Sequence, residues 1–393
     1  MVIAVTGIRS EYDILYPVLD ELRSNGLDVK IVVSGAHLSD YFGNTIDKII
    51  DDGFEIVDRI DTLFVTSRLT QRSKGVGLLI YGLTQTIERV DPDFLLVVGD
   101  REESIATAVV GNYTNTLVVH IAGGDPAYGN ADDPIRFAVS KLSHLHCCFT
   151  KEYAKNLQNI GEEEFRIYNT GNPSYVNIDQ TEHISLNVLA QSLNIPITEG
   201  NYLVLIKHPL SSEVGDSKEQ MEITMQGLKR FCTLKGFHVV CIPPNSDPGS
   251  QLMREVINEY TSQDWFHPSQ DWFHPVPSLS RSFFVNLMRN AQALVGNSSM
   301  GILEAPHYKL PVVNIGNRQK GRLNAGNVEF VGYQIDEICR SVEKACCDKD
   351  YRREVELLKN PYGEGSAAKQ VYNAINQVDL DDQKWYIKKK LCP

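Results

Sequence analysis

The segment Ala293-Leu-Val-Gly-Asn-Ser-Ser-Met-Gly-Ile-Leu-Glu304 carries the residue types that hold a phosphate. Ala293 to Val295 read as the end of a buried strand, Gly296 breaks it, and Asn297, Ser298 and Ser299 are capping types ahead of a helix. A turn of this kind leaves backbone N–H groups at the positive end of a helix dipole, where an anion is favoured. Glu304, about one turn into that helix, is placed to accept hydrogen bonds from ribose hydroxyls. Taken alone, Gly-Asn-Ser-Ser is equally well a capped helix with no ligand. Its company decides. Wherever an apolar run ends, chemistry-bearing residues follow: Arg9, His37, Asp100 with Arg101, Asp125, His208, Asn245, Ser298 with Ser299, and Arg318. In a parallel sheet, ligands gather at the carboxyl ends of the strands, and packing alone does not explain so many polar residues at that one edge.

The apolar runs themselves are Val2–Val5, Val29–Val33, Phe54–Val57, Phe94–Val98 and Leu117–Ile121, then Tyr202–Ile206, Phe237–Ile242, Ala293–Val295 and Pro311–Ile315. Each is near-continuous in hydrophobicity, and helix-length segments separate them. That pattern predicts an α/β fold with parallel sheets covered on both faces. The rhythm pauses after Gly171-Asn172-Pro173 and restarts beyond the polar stretch Gln180–Glu182, which reads as a linker. Two Rossmann-like domains facing a cleft are expected, over residues 1–178 and 179–366. The helical stretch Ala367–Ile387 (within 367–393) is expected to pack back on the first. The polar run Thr66–Gly75 reads as a mobile loop. Ser262-Gln-Asp-Trp-Phe-His-Pro268 is repeated at once as Ser269–Pro275, and nothing else shares the period. The expectation is a local duplication that lengthens a surface loop.

With 393 residues the chain suits two domains, and 42% hydrophobic content supplies their cores. A net charge of -12 with no sustained basic run argues against nucleic acid as a partner. A negative protein that binds a nucleotide diphosphate must supply its cations locally, which is why the placement of each Arg matters. The eight cysteines show no zinc spacing, and no metal or other cofactor is expected. Cys147 and Cys148 sit in an apolar run and read as buried thiols. Lys388-Lys389-Lys390 reads as a solvated terminus. The absence of a signal-like start or a membrane-length apolar run predicts no membrane partner and a cytoplasmic location.

Taken together, Thr6-Gly-Ile-Arg9, Gly99-Asp-Arg101, His120-Ile-Ala-Gly-Gly124, Asp132-Asp-Pro-Ile-Arg136, Lys207-His-Pro209, Gly296-Asn-Ser-Ser-Met-Gly301 and Asn317-Arg-Gln-Lys-Gly-Arg322 resemble the hydrolysing UDP-N-acetylglucosamine 2-epimerases. These belong to the UDP-sugar 2-epimerase group of the GT-B fold. The matching segments run from residue 6 to residue 327, nearly the whole chain. The resemblance implies that UDP leaves C1 of a UDP-2-acetamido sugar as the C2 proton is removed. Water then adds to the 2-acetamidoglucal, giving the free 2-epimer and UDP.

Such chemistry needs a carboxylate base near C2, a second acid/base group, and donors for the departing diphosphate. By resemblance Asp100 and Asp132 match the catalytic carboxylates, with Asp133 a neighbouring candidate that a helix cap explains equally well. Arg9, His208, Ser298, Ser299 and Arg318 match diphosphate contacts, joined by Arg101 and Asn245 at the same edge, and His208 is also a catalytic candidate. Glu304 matches the ribose contact, and His37 and Arg136 are assigned to the sugar.

Some relatives carry Glu where this chain has Ala122, and many carry it where this chain has Asp125. Asp125 is the natural replacement for the missing acid/base group. The loop to Asp132 is one residue longer than in the sialic-acid enzymes, as in relatives acting on 4,6-modified sugars such as UDP-N,N′-diacetylbacillosamine. A reversible, non-hydrolysing 2-epimerase and a glycosyltransferase-like nucleotide-sugar-binding protein are the alternatives. A homo-oligomer, dimer or tetramer, is expected.

Overall fold

Val2–Thr6 and Phe94–Val98 have no polar alternation, and every residue in both is buried. A strand with both faces covered needs helices on both sides of its sheet, and parallel pairing supplies them through crossover connections. The computed structural model describes residues 1–65, 68, 70–126, 132–244, 247–261, 272–276, 279–363 and 365–387. Those in 1–126, 132–179 and 362–387 pack into one unit, and those in 180–361 into another.

The first unit is a seven-stranded sheet of β1 (Val2–Thr6), β2 (Val29–Ser34), β3 (Glu55–Ile60), β4 (Phe94–Val98), β5 (Leu117–Ile121), β6 (Leu145–Cys148) and β7 (Ile167–Asn169). They lie in the order β3-β2-β1-β4-β5-β6-β7, and every pair is parallel. From the central pair the chain winds outward in both directions. The connections leaving β1 and β4 therefore diverge and open a crevice at their carboxyl ends. Cys147 and Cys148 are buried thiols in β6.

One face is covered by the helices Thr70–Val90 and Glu102–Thr114. Leu79, Leu83 and Ile87 recur at every fourth position and are buried, while Tyr81 faces out. That is a helical stripe. The helix corrects part of the expected loop at Thr66–Gly75, because it begins at Thr70. Gly75 packs so tightly that a Cβ there would lie 2.6 Å from the Thr62 carbonyl oxygen. The polar residues of its first turn serve the site described below. Thr66, Ser67 and Leu69 lie outside the described residues.

The C-terminal helix also proves shorter than expected. It spans Ala367–Asn376 and packs within the first unit against the Arg9–Ser24 helix and β6. The run Val378-Asp-Leu-Asp-Asp382 cannot extend its apolar stripe, and a 3₁₀ turn, Gln383–Trp385, follows. The carbonyls of Lys384, Trp385 and Ile387 accept from the Arg166 guanidinium, which is 1% exposed. Lys388–Lys390 lie outside the described residues.

The second unit repeats the arrangement with six strands: β8 (Tyr202–Ile206), β9 (His238–Ile242), β10 (Phe273–Pro275), β11 (Leu294–Gly296), β12 (Val312–Ile315) and β13 (Val328–Val331). Their order is β10-β9-β8-β11-β12-β13, again all parallel. Leu203 and Leu205 pack with Met221, Met225 and Leu228 on one side. Tyr202, Val204 and Ile206 pack with Leu287 and Met288 on the other. The crevice here lies outside β8 and β11.

The duplicated heptad needs a partial correction. Its first copy, and Ser269–Asp271 of the second, lie outside the described residues. The end of the second copy is no surface loop. Phe273-His274-Pro275 is the edge strand β10, and Trp272 and Phe273 are each 5% exposed in the core beside Tyr260. Pro275 is tolerated because the edge position leaves no ladder bond to lose.

Trp272→Ala should lower unfolding stability by about 3–5 kcal/mol, read by denaturant titration. A loss below about 1 kcal/mol would mean that the identical upstream heptad slips in to supply the strand.

Candidate active site

In the first unit, Asp100 follows β4, Asp125 follows β5, and Arg136 comes from the helix Asp132–Leu142. The Arg136 guanidinium stands between the two carboxylates. Nη2 donates to Asp100 Oδ2, and Nη1 donates to Asp125 Oδ2 at 3.1 Å and to the Ala122 carbonyl at 3.3 Å. Asp125 is 0% exposed and Arg136 7%, while Asp100 is half-buried. Burial alone would lower the pKa of Arg136, but Asp100 and then Asp125 outweigh it and hold the guanidinium more firmly charged. The sequence groups these three residues only loosely, because each comes from a different element.

A second cation organises the next carboxylates. Arg72, in the first turn of the Thr70–Val90 helix, pairs with Glu102 and donates to Asp132 Oδ1 at 2.9 Å. Burial would raise Glu102, yet Arg101 and Arg72 keep it below its usual value. Asp132 therefore opens its helix on a fixed guanidinium. Asp133 is half-buried beside it in the same first turn. Arg72 was missed in the sequence because it lay in a run read as loop.

Around the turn after β1, two buried glutamates replace what composition suggests is ordinary helix surface. Glu11 Oε2 accepts from the Gly7 N–H at 2.9 Å, and Ser34 Oγ donates to Glu103 Oε1 at 3.0 Å. A Cβ on Gly7 would sit 1.8 Å from Glu103 Oε1, so only glycine fits there. Glu11 Oε1 and Glu103 Oε2 are buried without a hydrogen-bond partner among the described residues. Burial, then the charge of Glu103, pushes Glu11 well above the carboxylate range.

His37 is fully buried, with Nε2 3.2 Å from Thr6 Oγ1 and Nδ1 2.7 Å from Thr45 Oγ1. In this conformation it ties down the strand end and presents neither ring nitrogen outward. Burial lowers it to about 4. Arg9 opens the helix Arg9–Ser24 with Nε 3.5 Å from Asp13. Arg101 caps the helix Glu102–Thr114, with Nη2 3.7 Å from Glu102.

His120 was quoted in a motif without a role, and the structure supplies one. Its Nε2 lies 2.8 Å from the Gly99 carbonyl, which can only accept, so Nε2 carries the proton. Nδ1 then accepts from Ser140 Oγ at 3.1 Å. The neutral ring pins the turn that bears Asp100, and burial followed by His146 lowers it to about 3.

In the second unit the polar edge is held together by Asn297, 3% exposed. Its Oδ1 accepts from the His208 N–H at 2.7 Å, and its Nδ2 donates to the His208 carbonyl at 2.8 Å. Its own carbonyl accepts from Arg318 Nη1 at 3.1 Å and Gln319 Nε2 at 3.0 Å. Asn297 is thus a bridge between the turns after β8, β11 and β12, where the sequence suggested a helix cap. Gly296 is required by a φ of 130° and by the Ile206 carbonyl, 2.0 Å from where its Cβ would lie.

Ser298 and Ser299 are half-buried; Ser299 is the N-cap, and Ser298 Oγ accepts from the Met300 N–H at 3.3 Å. The expected helix is only Met300–Leu303, which puts Glu304 at its C-cap and not one turn inside. Pro306 is the reason, since the residue before a proline is disfavoured in a helix. Asn245 lies outside the described residues. Among those described, no cluster of three or more His, Cys, Asp or Glu side chains is placed to hold a metal, and no helix is long and apolar enough to cross a membrane.

Comparison with known proteins gives a consistent result. The family model described as UDP-N-acetylglucosamine 2-epimerase matches residues 20–376. The chain is 32% identical over 383 residues, 97% of each chain, to the UDP-N,N′-diacetylbacillosamine 2-epimerase (hydrolyzing) of Legionella pneumophila. It is 30% identical, over 86% of each chain, to the GDP/UDP-N,N′-diacetylbacillosamine 2-epimerase (hydrolyzing) of Campylobacter jejuni. The fold is similar to that of the UDP-GlcNAc 2-epimerase of Neisseria meningitidis bound to UDP-GlcNAc, with a TM-score of 0.79 at 20% identity, covering 96% of this chain and 100% of that one.

Two outcomes follow from the buried charges. Arg136→Met leaves Asp125 without its cation and should cost about 3–5 kcal/mol at pH 8, with Asp125→Asn in the same chain restoring part of it. A single variant as stable as wild type in thermal melts would show that the pair carries no charge. His37 and His120 are held neutral, with folded values near 4 and near 3 against an unfolded value of about 6.5. Their contribution is complete above about pH 6.5 and is lost as pH falls toward 3. His120→Gln, which keeps a donor for Gly99, should reduce that acid sensitivity in melts between pH 4 and 7.

Proposed function

Because the chain belongs to the UDP-N-acetylglucosamine 2-epimerase family, we propose that it is a hydrolysing 2-epimerase that converts a UDP-2-acetamido sugar to the free 2-epimer and UDP. The observation that carries this is full-length similarity to hydrolysing epimerases, combined with carboxylates fixed on one buried and one half-buried guanidinium at the strand ends of the first unit. A weakly acidic C2–H needs a base of that kind, held rigidly.

The proposed steps balance as follows. A carboxylate of the Asp100/Asp132 set takes the C2 proton, the C2–H electrons form the C1=C2 bond, and the C1–O bond breaks with its electrons leaving on UDP. Water then adds its hydroxyl to C1 of the 2-acetamidoglucal and gives up its proton to a carboxylate, while a carboxyl delivers a proton to C2 from the opposite face. Asp133 is a further candidate for this second transfer. Asp125, shut off from solvent, pairs with Arg136 in this conformation. Arg9, Arg101, His208, Ser298, Ser299 and Arg318 are assigned to the diphosphate, as is Asn245. Glu304 is assigned to the ribose, and Arg136 and His37 to the sugar side.

The names of the two hydrolysing relatives favour UDP-N,N′-diacetylbacillosamine over UDP-GlcNAc as substrate, and with it a legionaminic-type over a sialic-type acid pathway. A cytoplasmic homo-oligomer completes the reading.

Incubation with each UDP-sugar in heavy water, followed by NMR, should give one deuterium at C2 of the free sugar and one UDP per product. A UDP-linked 2-epimer would instead favour the non-hydrolysing reaction. Asp100→Asn and Asp132→Asn should lower kcat by about 10²–10⁴-fold while calorimetry shows UDP affinity little changed. Near-normal turnover in both would remove the proposed base. Asp125→Asn should resemble Asp132→Asn if Asp125 transfers protons. A mild loss of turnover with a lower Tm would assign it to holding Arg136.

A further inference from the structure

Lys207 follows β8 directly and is 2% exposed, yet among the described residues no carboxylate pairs with it. Its Nζ lies 3.4 Å from Tyr333 Oη and 4.8 Å from the centre of the Tyr333 ring. A charged ammonium asks for three acceptors. The phenol, itself a donor to Gln220 Oε1 at 2.8 Å, supplies one acceptor and a ring face, short of the three acceptors.

The groups facing Lys207 from the surrounding elements are few. Glu213, in the 3₁₀ segment Ser211–Asp216, accepts from Gln220 at 2.6 Å and from Asn317 at 3.1 Å, so its charge is already shared. Arg318 lies on the next loop and its positive charge opposes a second one nearby. Asp216 faces the Tyr333 hydroxyl, which keeps its proton above the usual range through burial and then the charge of Glu213. Burial, offset by Glu213 and reinforced by Arg318, lowers Lys207 to about 7.

Its position matters as much as its burial. Ile206 is in register with Gly296 of β11, so Lys207 and the Asn297-Ser298-Ser299 turn leave neighbouring strands at the same level. Asn297 ties that level to His208 and Arg318. We propose that Lys207 is the proton-linked cation of this edge: largely neutral at pH 8 in the free protein, it gains a proton when a nucleoside diphosphate settles at Ser298, Ser299 and Arg318. The inference rests on the nucleotide-binding reading above. The diphosphate supplies the negative field that the free site lacks, and the proton comes from solvent. Affinity for the diphosphate therefore falls as pH rises above about 7, up to about tenfold per unit.

Isothermal calorimetry with UDP at pH 8, in buffers of differing ionisation enthalpy, tests this on the full chain. At that pH ordinary imidazoles and the terminal phosphate have already lost their protons, so uptake reports the lysine. Wild type should take up close to one proton per UDP bound. Lys207→Met, which keeps the buried volume without the amine, should take up almost none. It should also bind UDP at least about tenfold more weakly at pH 7, with the deficit shrinking by pH 9. Lys207→Arg, charged throughout, should bind at both pH values without proton uptake. Buffer-independent binding by wild type, or uptake that survives in Lys207→Met, would overturn the assignment while leaving the nucleotide site standing. Absence of UDP binding by folded wild type would remove both.

Discussion

A guanidinium buried between two carboxylates sets the terms for the first unit. Arg136 cannot leave its place without stranding Asp125, which has no solvent contact, and cannot be neutralised without freeing Asp100. Taking such charges out of water costs several kcal/mol per ion, offset only while the geometry is kept. The turns after β4 and β5 and the start of the Asp132–Leu142 helix are therefore bound into one rigid edge, where reaction geometry benefits most from rigidity. Arg72 does the same for Glu102 and Asp132.

Neutral groups complete what the ions begin. The neutral His120 imidazole holds the Gly99 carbonyl without adding charge to a region that already carries several carboxylates, and the buried Glu11 carboxyl accepts from the Gly7 N–H. The second unit uses a side-chain amide instead. Asn297 offers two acceptors and a donor group to the two neighbouring turns, and its own carbonyl orients the Arg318 guanidinium.

The two sheets share one strand order, and each brings its polar residues out at the carboxyl ends of its central strands. The resemblance in fold to a UDP-GlcNAc 2-epimerase at 20% identity reflects this common framework. The higher identity to hydrolysing relatives is what directs the reading of the chemistry.

Much of this was legible in the sequence, for a physical reason. Continuous apolar runs such as Phe94–Val98 can be satisfied only inside a covered parallel sheet, and that alone places Asp100, Asp125, His208 and Ser298 at one kind of edge. Short-range punctuation was also readable: Gly7 and Gly296 sit where no side chain fits. Three things were decided only in three dimensions. Which carboxylate meets which guanidinium depends on elements far apart in the chain, so Arg72 was lost in an apparent loop and Arg136 was read as a sugar contact before it was seen as a bridge. The edge strand drawn from the second of two identical heptads could not be told from its twin, because local sequence is the same in both copies. The upward shift of Glu11 and the downward shifts of His37, His120 and Lys207 follow first from burial, and burial belongs to the folded packing rather than to any stretch of residues.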